Sequence, residues 1–392
     1  MKIYEIGTGY TPIPAQMGAA TEIVVEELTR SFINNGVDAT VIDIKAQNRA
    51  MCELPIIEVG VPSVFTKTDV SLGIMHKLKR VCYSVSLAQR LKKILKNTDE
   101  KVVLHFHNQY NLFFFFKLVP KKLRKKAIIA YTVHSYIWGT EWEKIEDTVK
   151  KKYFQEVFCV QNADIVFVLN DITTDHFVKH LGVDKNKIVK TINGVNVKRY
   201  SELLEKDVTE ILAELGLKNK KLVFQVGSVC ERKNQLGTVR MMADYLKANR
   251  DVVFGYAGGI IDAEYQKSIE LFAQENNIAE QVKYFGELSP GNELNKYYNA
   301  ASCSVFTSTL ESFGLVIIEA ISAGTPVVMS NNLMFDLNRG FFLYNNEREF
   351  VELLDKILQG GKAEFADRSE VVEKYSWDAV AKEQLELFER LS

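Results

Sequence analysis

Two glutamates, Glu311 and Glu319, frame the stretch ESFGLVIIEA at residues 311–320, with SAGTPVVMS following directly. Residues 302–308 favour a β-strand, Ser312 and Gly314 interrupt it, and residues 315–323 can form a short helix. Gly324 ends that helix in the left-handed role and Pro326 bars its continuation. The reading is strand, loop, helix, strand. In a parallel sheet such a unit puts the loop and the helix N-terminus at the carboxyl ends of the strands, where unpaired N–H groups and the helix dipole hold anions. Phosphate is the natural guest, but two carboxylates would repel it. Glu311 and Glu319 are better used as acceptors from neutral hydroxyls, which a nucleotide-sugar carries on its sugar and its ribose. The competing reading is a short amphipathic helix with two exposed glutamates.

Three further groups could do chemistry. A strand at residues 222–226 runs into Gly227-Ser228-Val229-Cys230-Glu231-Arg232-Lys233, which offers cations beside a glycine turn. A departing diphosphate gains negative charge, so cations held against it are the main electrostatic aid its release requires. Neighbouring side chains of an extended loop point to opposite sides, so only one of Arg232 and Lys233 is expected to face the phosphate. Gly258-Gly259 and Gly286-Glu287-Leu288 repeat the strand-then-glycine pattern and allow close backbone approach to a ligand. A strand over residues 127–133 delivers His134 at its carboxyl end, the position where ligands gather in α/β folds. His105 and His107 point to one face of another strand. With no cysteine or clustered carboxylate near them in the sequence, a metal site is not expected there, and none is expected elsewhere.

At these residues the sequence resembles the retaining GT-B glycosyltransferases of glycosyltransferase family 4, marked by Glu, seven residues, Glu, with Phe-Gly after the first Glu. The resemblance implies an α/β protein of two Rossmann-like domains facing a central cleft. It gives Glu311 the donor-sugar hydroxyls, the backbone of Phe313, Gly314, Leu315 and Val316 the sugar and diphosphate, and Glu319 the ribose. It also places His134 near the sugar and β-phosphate, Gly18 over the donor, and Gly286, Glu287 and Leu288 against the base. The family's diphosphate clamp has Arg directly after the glycine and Lys five residues later. Lys233 matches, whereas Ser228 occupies the arginine position, and Arg232 is the nearest replacement. The implied donor is a UDP- or GDP-sugar, as substrate rather than cofactor, and the acceptor a sugar or lipid-linked hydroxyl. No Asp-x-Asp occurs in the chain, so metal independence is the expectation. Rival readings are a nucleotide-sugar epimerase of GT-B shape and a catalytically weak nucleotide-sugar-binding protein.

The elements that must position these groups alternate strand and helix along 392 residues, 47% of them hydrophobic, which is long for one core. Strands are expected at residues 3–6, 37–44, 102–106, 127–133, 163–169, 188–192, 222–226, 252–257, 282–285 and 302–308. Helices are expected at 21–35, 76–96, 171–180, 347–358 and from 376 to 391. The domains expected are an acceptor-side domain at 1–200, a nucleotide-sugar domain at 201–375 in which residues 201–221 are charged and weakly patterned, and a terminal helix at 376–392 crossing back to the first. Gly7-Thr8-Gly9 opens the chain like a Rossmann turn, but no third glycine follows at the fingerprint spacing.

Five scattered cysteines suggest neither a disulfide frame nor zinc, and no leader or long apolar run is read, so a cytoplasmic protein is expected. The formal charge of −1 conceals residues 72–126, where 14 Lys and Arg stand against 2 Asp and Glu, a net +12. That block, with Phe113, Phe114, Phe115 and Phe116 before its last lysines, suggests an anionic membrane surface as a partner. A buried helix with a solvated basic end is the other reading. No nucleic-acid partner is expected, and the oligomeric state is not readable.

Overall fold

The computed structural model describes residues 1–14, 20–65, 74–311, 313–331 and 337–391. The chain divides into two compact units, one of residues 1–194 with 377–392 and the other of residues 195–376. The division falls at Gly194 rather than at residue 200. The reason is local: Val195 bridges to Ser376, and its N–H donates to the Tyr375 carbonyl at 2.7 Å, so this segment belongs to the second unit.

The first unit is built on a seven-stranded sheet. Its strands are β1 (Lys2–Ile6), β2 (Asp38–Ile44), β3 (Ile56–Val59), β4 (Val102–Phe106), β5 (Ala127–Thr132), β6 (Ile165–Val168) and β7 (Ile188–Lys190), in the order β3-β2-β1-β4-β5-β6-β7. Every pairing is parallel. Runs such as VVLHF and AIIAYT are buried along their whole length, as strands covered by helices on both faces must be. The chain runs outward from β1 to β3 and then returns to lay β4 against the other side of β1. That reversal is a topological switch point, where strand ends splay and leave room for a ligand. The closing helix Trp377–Leu391 packs on the helix Ala20–Asn34, with Phe388 and Phe32 rings 6.3 Å apart.

The four-phenylalanine run lies on the helix Gln109–Leu118, capped by the Asn108 side chain on the Tyr110 and Asn111 N–H groups. Phe115 and Phe116 are buried in the core and Phe113 and Phe114 are half-buried, so the run is not an exposed stripe. Helical spacing sends adjacent aromatics to different sides, and two of the four must face the sheet. Among the described residues, the exposed large apolar side chains of the basic block are Met75, Leu78 and Val81 of the helix Ile74–Asn97, and Leu118 at the end of the phenylalanine helix.

The second unit holds a six-stranded sheet of β8 (Lys221–Val226), β9 (Val252–Ala257), β10 (Val282–Tyr284), β11 (Ala301–Phe306), β12 (Val327–Ser330) and β13 (Phe341–Tyr344). The order is β10-β9-β8-β11-β12-β13, again all parallel. Its switch point lies between β8 and β11. Val223, Phe254, Val305 and Val328 from the sheet and Met242, Leu246, Leu354 and Ile357 from flanking helices form its core. Among the described residues no helix is long and apolar enough to cross a membrane.

Candidate active site

The loops leaving β8 and β11, on either side of the second switch point, are stitched together by buried polar groups. Gln225, at the end of β8, donates its amide to the Lys233 carbonyl at 2.7 Å and to Thr307 Oγ1 at 3.1 Å. Thr238 Oγ1 donates to Gln225 Oε1 at 2.8 Å and lies 2.7 Å from Thr307 Oγ1. Asn234 donates to the Thr307 carbonyl, and the Thr309 N–H donates to the Arg232 carbonyl at 2.9 Å. Each such bond is worth about 1 kcal/mol, and leaving one of these buried partners unpaired costs more.

This stitching delivers three charges to one point. Lys233 Nζ and Arg232 Nη1 each lie 2.5 Å from Glu311 Oε1, and the arginine also reaches the Leu310 carbonyl at 3.1 Å. The extended-loop expectation of opposed side chains is therefore corrected. Glu231–Lys233 is a single 3-10 turn, which brings both cations to the same carboxylate. All three side chains keep partial access to solvent.

Backbone groups surround the cluster. A Cβ on Gly258 (φ +144°) would come within 2.2 Å of the Gly227 carbonyl oxygen, so the two turns can be this close only with glycine there. Gly258 N–H in turn donates to the Gly286 carbonyl at 2.8 Å. Ser228 enters this layer through its carbonyl, which accepts from the Gln235 side chain at 3.0 Å. Glu287 lies beside the Gly259 turn. Gly314, at φ +88°, begins the helix Leu315–Ser322, whose first turn is apolar, and Phe313 is buried 6.2 Å from the Tyr375 ring. Glu319 lies deeper on that helix, with its carboxylate accepting from Tyr298 Oη at 3.2 Å. Burial pushes it up to about 7 against the pull of the Tyr298 and Tyr200 hydroxyls and of Arg199.

In the first unit the corresponding switch point holds a chain of side chains. Parallel pairing of β1 with β4 sets Glu5 beside His105, and His107 follows two residues on, on the same face. Glu5 Oε1 is 2.8 Å from His105 Nδ1 and Glu5 Oε2 is 2.7 Å from His107 Nε2. His105 Nε2 meets Thr132 Oγ1 at 2.7 Å, and His107 Nδ1 meets His134 Nε2 at 3.0 Å. A carboxylate is thus clustered with the His105 and His107 pair, contrary to the sequence expectation. Their three ligand atoms lie within 4.8 Å of one another, the single such group among the described residues. Each imidazole nitrogen that faces Glu5 already has a carboxylate oxygen at hydrogen-bond distance, so the set is satisfied as a hydrogen-bond network. Burial opposes the charge on Glu5, but the two imidazoles outweigh it and hold it down to about 2. Burial and the adjacent His105 bring His107 down to about 4, against the pull of Glu5, and burial with the neighbouring histidines lowers His134 further.

Two family models match the chain, "Glycosyltransferase Family 4" over residues 21–199 and "Glycosyl transferases group 1" over residues 207–375. The chain belongs to the group 1 glycosyltransferases of family 4. Among curated relatives, the glycosyltransferase is 24% identical to alpha-monoglucosyldiacylglycerol synthase of Streptococcus pneumoniae, over 75% of this chain and 58% of that one. Among solved structures it resembles sucrose-phosphate synthase from Thermosynechococcus elongatus at a TM-score of 0.77 and 20% identity, covering 100% and 98% of the two chains. It also resembles Anabaena HepE in complex with UDP and glucose at a TM-score of 0.72 and 15% identity, with both chains covered in full. The fold is GT-B.

Of the residues singled out in the glycosyltransferase's sequence, the second unit brings together Gly227, Ser228, Arg232, Lys233, Glu311 and the Gly286 turn. Glu319 sits apart on its helix with Tyr298. His134 belongs to the first unit, joined to His107. Gly18 lies outside the described residues, as does Ser312. Sequence reasoning missed Gln225 and Glu5. Both carried a signal, each being a polar residue at a buried position of a strand whose other buried positions are hydrophobic, KLVFQV and KIYEI.

Proposed function

We propose that this glycosyltransferase moves a sugar from a nucleoside-diphosphate sugar to an acceptor hydroxyl with retention and without a metal. The carrying observation is the convergence of Lys233 and Arg232 on Glu311 at the β8/β11 switch point, beside the glycine turns and the helix N-terminus. The two cations balance the charge that grows on the departing diphosphate, and the main-chain groups of Phe313, Gly314, Leu315 and Val316 line the sugar and diphosphate. Glu311 accepts from sugar hydroxyls and Glu319 from the ribose. The bond from the anomeric carbon to the phosphate oxygen breaks, the acceptor oxygen bonds to that carbon on the same face, and its proton passes to the leaving phosphate. No protein nucleophile is assigned.

UDP-sugars are the preferred donors in this reading, supported by the UDP-bound neighbour. A lipid-linked acceptor at an anionic membrane surface, reached from the cytoplasmic side, is supported by the +12 block, by exposed Met75, Leu78 and Val81, and by the glycolipid-synthesising relative. Thermal-shift screening of UDP-, GDP-, ADP- and dTDP-sugars tests the donor. A ligand at 100 times its dissociation constant adds about 2.7 kcal/mol. NMR of the product's anomeric proton with an identified acceptor tests retention. An inverted anomer, or no stabilisation by any sugar nucleotide, defeats the reading. The epimerase alternative is not favoured by the matched families.

A further inference from the structure

Glu5 stands at the centre of a buried chain that runs Thr132, His105, Glu5, His107, His134, each link between 2.7 and 3.0 Å. Glu5, His105 and Thr132 are fully enclosed, and the Phe167 and Phe388 rings pack on His105 at 5.5 and 6.1 Å. A carboxylate inside an apolar strand has a large desolvation cost, offset here only by the two imidazole N–H groups that it accepts from. Two histidines alone would satisfy each other less expensively. The arrangement calls for an account in terms of what the last link, half-buried His134, does.

Proton bookkeeping along the chain leaves one arrangement for neutral rings. An ionised carboxylate only accepts, so His107 carries its proton on Nε2 and presents the lone pair of Nδ1. His134 must then donate from Nε2 to His107 Nδ1, and its own Nδ1 is left as an acceptor. Among the described residues that nitrogen has no hydrogen-bond partner. The two ring planes lie 24° apart with their centroids 5.3 Å apart, which sets the orientation of His134 against His107.

We propose that Glu5 and His107 are positioning residues that lock His134 as the Nε2–H tautomer, so that its Nδ1 is a fixed acceptor for a hydroxyl of the substrate. The inference rests on the reading of His134 as an active-site residue. Such indirect control matches the general rule that a histidine's second nitrogen is set by the hydrogen bond its first one makes. Burial of His107 and His134 favours their neutral forms, as this assignment requires. The sequence offers no other reason for a charged residue at position 5 of KIYEI.

The test is nitrogen-15 NMR of the histidines in the full chain at neutral pH, with transfer kinetics and zinc content measured on the same preparation. The expected wild-type spectrum has His107 and His134 protonated on Nε2 alone. Glu5→Leu, close in volume, and His107→Phe, which leaves the Glu5–His105 pair intact, should each convert His134 to a mixture of tautomers. Each should lower kcat about tenfold or more with the donor KM within about twofold, the pattern of an interaction realised in the transition state. Thr132→Val, which removes only the far end of the other branch, should keep the single tautomer. A wild-type His134 protonated on Nδ1 or on both nitrogens, or stoichiometric zinc held by Glu5, His105 and His107, overturns the proposal. So does unchanged kcat in both variants. The tautomers are read without turnover, so failure of the activity reading itself appears separately, as a wild-type chain that transfers no sugar.

Discussion

Lys233 Nζ lies 2.5 Å from Glu311 Oε1, the same oxygen that Arg232 holds at 2.5 Å. One carboxylate is thus shared between two cations. A nucleotide entering the site competes with Glu311 for them. Glu311→Gln should therefore bind free nucleoside diphosphate about fivefold more tightly, because partly exposed pairs of this kind are worth about 1 kcal/mol. The same variant should lose sugar transfer, since the amide no longer accepts strongly from the sugar hydroxyls. Isothermal titration with UDP and GDP beside a transfer assay reads both. Weaker nucleotide binding in Glu311→Gln would show that the carboxylate supports the cations instead of restraining them.

Glu319 gives a pH prediction whose sign follows from its raised value. Its folded pKa of about 7 exceeds the ordinary 4.5, so the native state binds more protons than the unfolded one between those values. Stability from this group is present below about pH 4.5 and is lost as pH rises through 7. Glu22, also raised to about 7 by burial, against the pull of the Thr8 hydroxyl that donates to it, acts in the same direction. Each shift corresponds to about 3 kcal/mol. The melting temperature of Glu319→Gln should fall less than that of the wild type between pH 5 and pH 8. Parallel curves for the two chains would exclude the shift. Glu319→Ala should additionally weaken any nucleotide by about 1 to 3 kcal/mol if the carboxylate serves the ribose.

The stitch between the two loops predicts that Thr307→Val harms the site through Gln225 and Thr238. The substitution preserves shape and removes the hydroxyl that three neighbours use. A loss of about 1 to 3 kcal/mol in stability is expected, with weaker nucleotide binding at temperatures where the chain is folded. Chemical denaturation and titration check the two effects. Unchanged nucleotide affinity would mean that Lys233 and Glu311 meet without help from the stitch.

Membrane attachment, if it occurs, should depend on Met75, Leu78 and Val81 more than on the phenylalanine run, half of which is core. Co-sedimentation with vesicles containing anionic lipid should fall with salt and with Leu78→Ser combined with Val81→Ser. Equal binding to neutral and anionic vesicles, or to neither, removes the surface reading.

The alternation of strand and helix was legible because buried parallel strands write themselves as continuous apolar runs, and 102–106 and 252–257 match their strands residue for residue. Of the four edge strands, β7 and β10 were read and β3 and β13 were not. β3 and β13 are four residues each and only partly buried, so their sequences IIEV and FFLY carry little pattern. The helix Glu205–Glu214 hid in the charged stretch because one residue of its ten, Ile211, is buried. At the site, spacing pointed to Glu311, Lys233 and His134, since those lie at loop positions after strands. Glu5 was missed because its partners come from β4 and the residue after it, and Gln225 because the Thr307 that it meets follows β11, and sheet order is not written in any local pattern.

The substitution of Ser228 for the expected arginine gives the last test, on the two cations that remain. If Arg232 and Lys233 form one clamp, each acts chiefly in the transition state, where the diphosphate gains charge. Lys233→Ala should then lower kcat about 10² to 10³-fold, as loss of one oxyanion donor does. Arg232→Ala should cost less, since its side chain is the more exposed, at 32% against 14%, and is shared with the Leu310 carbonyl. Because both cations meet the same Glu311 oxygen, removing one allows the other to re-aim, and the losses should not add. A double-mutant cycle on kcat should return a coupling of about 1 kcal/mol or more. Additive losses would assign the two side chains separate tasks. An Arg232→Ala enzyme that turns over at the parent rate would leave Lys233 as the one side-chain cation on the diphosphate, with Ser228 marking a weaker clamp than the family's usual pair.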